Sequence, residues 1–261
     1  MLGIGGSSIM IPAMVVVLGA SANVGGRMID QTHQYAAVAM IVNFLLSVPS
    51  VIAHWRNKAI WLGVVKVMIV GGLVGIVVGV WLSQFVDGQY IRWFLGFFFI
   101  YVALENLHKA YKGPRSDRSS KAAAEEIWWM PKLALGTGIG VFAGMTGLGG
   151  GAMAVPAQQY SFNIPIRNAI ANSSALIVSI AWLGAILKNT QLAANPALGG
   201  SWTTSLLLTA CLAPTAMIGS YIGGNLTHRL PVRVVRVAFA LMILVSTVKM
   251  FEGLPQAVRG H

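Results

Sequence analysis

Apolar residues run along this chain in blocks of about twenty, parted by short stretches that hold the charges, prolines and glycine clusters. A bilayer core about 30 Å thick needs about 20 apolar helical residues to cross it. On that criterion the pattern predicts six complete spans, at 36–53, 60–85, 90–107, 169–187, 202–226 and 232–251. Two further apolar stretches, one at the N-terminus and one over 128–160, are interrupted by glycine and are expected to be broken helices, with a re-entrant hairpin as one form of the break. Lys188 then opens the loop after the fourth span. Trp55, Trp61, Tyr90, Trp93, Trp128, Trp129 and Trp202 gather at span ends, where amphipathic rings suit the water–lipid boundary.

The pattern repeats. Gly3, Gly5, Gly6, Pro12 and Ala13 recur 144 positions later as Gly147, Gly149, Gly150, Pro156 and Ala157. In the same frame Gly71, Gly75 and Gly79 fall on Thr215, Gly219 and Gly223, Leu82 on Leu226 and Arg92 on Arg236. At a spacing of 140, Arg27 falls on Arg167. The chain therefore reads as an all-α polytopic membrane protein of two homologous halves: a first repeat over 1–111, a basic cytoplasmic linker over 112–127, and a second repeat over 128–261. Each half holds a glycine-broken helix and three full spans. An apolar half-helix at 131–144 precedes the second glycine motif and has no counterpart in the first half, so an N-terminal half-helix is expected to be missing. Loop charge also alternates. Arg56 and Lys58 follow the first full span and only Arg92 the next; in the second half Lys188 stands alone and Arg229, Arg233 and Arg236 come later. That reversal leads us to expect inverted repeats. The glycines at four-residue spacing are expected to serve close helix packing.

Composition narrows the class. The chain is 56% apolar and 10% charged, against about 25% charged residues in soluble domains. A net charge of +11 would suggest nucleic acid in a soluble protein. Here the basic residues lie between apolar runs, which is the habit of cytoplasmic loops, and no nucleic-acid partner is expected. Cys211 is the one cysteine, which excludes an intrachain disulfide and a cysteine-built metal site. No nucleophile–base motif appears and no lysine follows the glycines as in a P-loop, so neither an enzyme nor a metal or cofactor site is expected.

Two segments carry a family resemblance: Gly3-Ile4-Gly5-Gly6-Ser7-Ser8-Ile9-Met10-Ile11-Pro12 and Gly147-Leu148-Gly149-Gly150-Gly151-Ala152-Met153-Ala154-Val155-Pro156. With His54-Trp55-Arg56-Asn57-Lys58-Ala59-Ile60-Trp61 after the first full span, they resemble the sulfite exporter TauE/SafE family, over nearly the whole chain. Ser7 stands where that pattern has a third glycine. The resemblance implies a secondary transporter, an exporter in many members, of small sulfur-containing anions such as sulfite or organosulfonates. An anion channel and a carrier of small carboxylates are the alternatives. It further implies a multi-pass protein of a bacterial inner membrane. The expected partners are a small anion and the lipid bilayer, with a homodimer left open.

Candidate residues follow from what an anion needs. A helix start offers unpaired N–H groups and partial positive charge, and glycine lets the backbone approach an anion. Gly5, Gly6, Ser7 and Ser8 in one half, and Gly149, Gly150 and Gly151 in the other, are the candidate seats, meeting near the membrane midplane. Gln31 and His33, and Asn172 and Ser173, add polar groups to the following helices; interhelical hydrogen bonding is the competing role. Arg27 and Arg167 suit oxoanions or interfacial anchoring equally. Gln158 and Gln159 are donors to an oxoanion or plain polar helix-end residues, and Asn43 reads as a bridge between helices. His33 is the candidate for proton coupling.

Overall fold

The computed structural model describes residues 21–24, 27–30, 32–86, 88–111, 121–195 and 201–231, together with 233, 234, 237, 240, 241 and 244. Among these the regular structure is helical, apart from a hairpin that pairs β1 (Ser21–Val24) antiparallel with β2 (Arg27–Asp30). The helices are α1 (Thr32–Arg56), α2 (Leu62–Leu82), α3 (Gly88–Tyr111), α4 (Lys121–Glu126), α5 (Trp129–Thr146), α6 (Gly151–Phe162), α7 (Ile166–Ala194) and α8 (Trp202–Arg229). Four stretches are long and apolar enough to cross a membrane: His33–Arg56, Leu62–Leu82, Ile166–Ala194 and Trp202–Gly223. They contain or match four of the expected spans. The expected span at 90–107 lies inside α3, and that at 232–251 falls largely outside the described residues.

Lipid as solvent explains which side chains face outward. Val70, Val74, Val77, Val78 and Trp81 of α2 are exposed, while Val64, Met68 and Ile76 are buried. The outward face is thus as apolar as the inward one, an arrangement that favours a hydrocarbon surround over water. Trp61 departs from the expected interfacial ring: it is 7% exposed, packed in the core beside the start of α2.

Contacts give the directions of the helices. Ser50 meets Ser174 at 3.1 Å and Met40 faces Gly184, so α1 and α7 run antiparallel. Gly72 faces Leu176 and Ile180, and Gln191 donates to Val80 O at 3.1 Å, so α2 and α7 run parallel. Gln34 donates to Ser205 at 2.7 Å and Ser220 donates to Leu46 O, so α1 and α8 run parallel. The tightest pairing joins α2 to α5, also parallel. Gly71, Gly75 and Gly79 face backbone at Leu133, Thr137 and Val141, and Gly136, Gly140 and Gly144 face backbone at Met68, Gly72 and Ile76. Glycine on both helices lets the backbones touch, as the four-residue spacing led us to expect. At Gly219 of α8, by contrast, a Cβ would meet nothing within 4 Å.

Part of the stretch expected as a basic linker is helical and packed into the fold. The short α4 buries Ala124, the Gly63 N–H donates to Glu125 Oε1 at 3.3 Å, and Lys132 Nζ donates to Glu125 O at 2.8 Å. The linker therefore clasps the first turns of α2 and α5, because the two helix starts stand side by side.

Candidate functional site

Between α5 and α6 the chain leaves helical geometry for four residues, Gly147 to Gly150. Thr146 Oγ1 donates to Phe142 O at 2.7 Å and accepts from the Leu148 N–H at 3.3 Å, closing the end of α5. Gly147, Gly149 and Gly150 have φ of 76°, 65° and 78°, the left-handed region that glycine enters without strain. Space imposes the same choice. A Cβ at Gly147 would strike Ala36, and one at Gly149 would lie 2.8 Å from Asn43 Nδ2. Asn43 Nδ2 donates to Gly147 O at 3.4 Å. The turn is therefore pinned against α1, as the bridging role read for Asn43 implies. Gly149, Gly150 and Gly151 are buried, and no side chain caps the first turn of α6. A buried helix start with no capping side chain leaves N–H groups and partial positive charge facing inward.

A second cluster joins α6, α7 and the start of α2. Asn172 Oδ1 accepts from the Trp61 N–H at 2.8 Å, and Asn172 Nδ2 donates to Gln158 Oε1 at 3.1 Å. Gln158 Nε2 donates to Ser173 Oγ at 3.1 Å and to Ala154 O at 3.1 Å. All three side chains are buried. Asn172 and Ser173 thus brace three helices to one another, and Gln158 is the hub. On the opposite side, Gln34 Oε1 accepts from the Ser201 N–H at 2.8 Å. Trp61 and Ser201, the N-caps of α2 and α8, each receive an amide side chain from the long helix of the other half.

The remaining candidates divide. His33 is buried at the start of α1. Arg167 Nη2 donates to Leu230 O at 2.6 Å, tying the start of α7 to the end of α8, while its Nε has no partner. Arg27 stands in β2, paired with Val24, instead of leading directly into a helix. Gly5, Gly6, Ser7, Ser8 and Gln31 lie outside the described residues. Among the described residues no group of three potential metal ligands occurs.

Lys188 is the residue that sequence reading misplaced. The apolar run stops at Leu187, which suggested a loop, yet α7 continues to Ala194 and Lys188 is fully buried. Helical phase carried the signal: Ile177, Ala181, Gly184, Lys188 and Leu192 share one buried face. Lys188 Nζ donates to Ser83 Oγ and, at 3.5 Å, to Gly144 O. Two open cavities lined by described residues lie away from the glycine turn. One of about 660 Å³ runs between the ends of α2 and α7, past Val80, Trp81, Gln84 and Gln191. Another, of about 1000 Å³, lies beside Leu107, His108, Tyr111 and Arg233.

Comparison with known proteins adds kinship. Residues 1–250 match the family described as Sulfite exporter TauE/SafE. A probable membrane transporter protein, MamO, of Magnetospirillum gryphiswaldense is 26% identical over 71% of this chain and 33% of its own length. MamO of Paramagnetospirillum magneticum is 32% identical over 46% of this chain and 18% of its own length. The chain therefore spans a third or less of these two relatives. The probable membrane transporter protein YunE of Bacillus subtilis is 21% identical over 97% of this chain and 93% of its own. No solved structure matches.

Proposed function

The chain belongs to the sulfite exporter TauE/SafE family, and from that premise we propose that it is a multi-pass carrier of small sulfur-containing anions, such as sulfite or organosulfonates, in a bacterial inner membrane. The direction of transport is export. The observation that carries this reading is the buried, uncapped start of α6 behind three left-handed glycines. In lipid, irregular backbone at that depth is tolerated where it is enclosed by protein or lines a pathway, and inward-facing N–H groups suit an oxoanion.

Helix directions support an inverted pair of halves. The corresponding helices α1 and α7 run antiparallel, and the caps at Trp61 and Ser201 echo one another across the pair. The same directions place the starts of α2 and α5, and the ends of α1 and α8, on one face. Arg56, Lys58, Arg229 and Arg233 are on that face, which the positive-inside tendency assigns to the cytoplasm. On this reading α5 enters from the cytoplasm, the chain turns at Gly147–Gly150, and α6 returns towards the start of α7 as a re-entrant hairpin. Burial of the turn then corresponds to an occluded state, opened by rocking one half against the other. His33 supplies a group that can titrate, and transport is coupled to protons through it.

The test is a thermal-shift screen of the detergent-solubilised chain against sulfite, sulfoacetate, taurine, thiosulfate and simple carboxylates. A ligand at 100 times its Kd stabilises by about 2.7 kcal/mol, so a sulfur oxoanion should raise the melting temperature clearly. Stabilisation by carboxylates alone would shift the substrate class, and no response to any of them would sink the anion reading. In proteoliposomes, sulfite counterflow is expected, and a His33→Ala variant should lose pH dependence; transport indifferent to pH and uncoupler would remove proton coupling.

A further inference from the structure

Lys188 is a buried amine that meets no carboxylate among the described residues. Its side chain is fully buried, and among the described residues its nitrogen meets a neutral hydroxyl and a backbone carbonyl and forms no ion pair. An ammonium group has three N–H donors, of which these contacts use two. An uncompensated buried charge is costly by several kcal/mol. A charged residue kept at such a cost inside a membrane commonly marks a substrate pathway.

Its place in the fold fits that role. Antiparallel packing sets Met40 of α1 against Gly184 of α7, so Lys188, one turn further along α7, stands level with Ala36. Gly147 packs against Ala36, and Lys188 itself reaches back to Gly144, three residues before the glycine turn. On the other side lies the open groove between the ends of α2 and α7. Between groove and lysine stand Gln191, whose amide donates to Val80 O at 3.1 Å, and Ser83, whose hydroxyl donates to the same carbonyl at 2.7 Å and accepts from Lys188. Lys188 thus sits between the glycine turn and this groove at the ends of α2 and α7.

We propose that the buried amine of Lys188 is the group with which the transported oxoanion pairs between the glycine turn and the α2–α7 groove. This rests on the anion-transport reading and adds to it a binding residue and an exit side. When the anion arrives it accepts an N–H from Lys188, and the pairing holds the amine in its charged form. Gln191 and Ser83 then act as the polar gate to the groove.

The experiment measures sulfite binding by the full chain in detergent, from the sulfite dependence of its melting temperature. Wild type is compared with Lys188→Met, Lys188→Arg and, as a control for loss of a buried lysine, Lys132→Met, whose amine is held by Glu125 O at the opposite end of α5. Lys188→Met is expected to raise the half-saturating sulfite concentration at least tenfold while leaving the sulfite-free protein as stable as wild type or more so. Lys188→Arg should restore part of the affinity, and Lys132→Met should bind as wild type does. A lysine with only a packing role predicts the reverse: lower stability without sulfite and unchanged half-saturation, which would overturn the proposal. Should Lys188→Met not yield monodisperse protein, Lys188→Gln, which retains a donor for Ser83, is judged by the same half-saturation criterion. If no anion stabilises the wild type, the transport reading itself fails and this inference falls with it; if wild type and Lys188 variants respond alike, only the inference falls.

Discussion

Gly75→Ala and Gly219→Ala make a matched pair, because the two glycines stand 144 positions apart in glycine stripes of the same spacing and meet different surroundings. A Cβ at Gly75 would overlap the Thr137 carbonyl oxygen and crowd the Val141 N–H. The overlap brings it about 1 Å inside an ordinary C···O contact of about 3.3 Å. Both obstacles are backbone, so no side-chain rotation relieves them and α2 and α5 must separate. Overpacking of this kind costs about 1–3 kcal/mol, and the rigid obstacle puts the cost near the upper end. Alanine recovers about 1 kcal/mol through helix propensity, leaving a net loss of about 2 kcal/mol. Gly219 has nothing within 4 Å of the added methyl, so it keeps the propensity gain alone. For a chain of this size 1 kcal/mol moves the melting temperature by about 2–4 °C. Melting of the detergent-solubilised chain, followed by tryptophan fluorescence, should therefore fall by about 4–8 °C for Gly75→Ala and hold or rise slightly for Gly219→Ala. Equal shifts in the two variants, or a more stable Gly75→Ala, would show that the α2–α5 backbone contact does not limit stability.

Other outcomes follow from the same geometry. Asn172→Leu strips partners from the Trp61 N–H and Gln158 Oε1; each orphaned buried group costs about 1–3 kcal/mol, so a clear drop in melting temperature is expected, and an unchanged one would show that the cluster is hydrated or loosely held. Gly149→Ala forces a side chain into positive φ against Asn43; it should impair folding more than Gly219→Ala does, and equal yields of monodisperse protein would contradict the assignment of the turn. With Cys211 replaced by alanine, Lys58→Cys and Gln84→Cys stand at opposite ends of α2; a membrane-impermeant maleimide should label them from opposite sides of the membrane, and labelling from one side would reject α2 as a span.

How much was legible in the sequence can be traced residue by residue. Four membrane-length helices, the α2 glycine stripe and the break at Gly147–Gly150 were all readable, since each follows from a local quantity: the transfer energy of an apolar run, the spacing of small residues on one face, or a backbone that needs glycine. Helix ends were less readable. Lys188 looked like a loop because a charge ends an apolar run, yet buried oxygens from Ser83 and Gly144 let the helix continue past it. Asn172 and Ser173 carried two readings, anion ligand or bridge between helices, because nothing in the sequence reveals that the Trp61 N–H and Gln158 are within reach.

The chain by itself determined that its long segments are helical and predominantly apolar, because lipid makes the same demand of each segment separately. Only the tertiary structure decided that one glycine stripe is filled by α5 while Gly219 faces open space, and that Lys188 meets Ser83 and Gly144 beside the glycine turn. Those outcomes depend on which faces meet across many residues of sequence, and an energy of contact between distant segments leaves no mark on the pattern of either one alone.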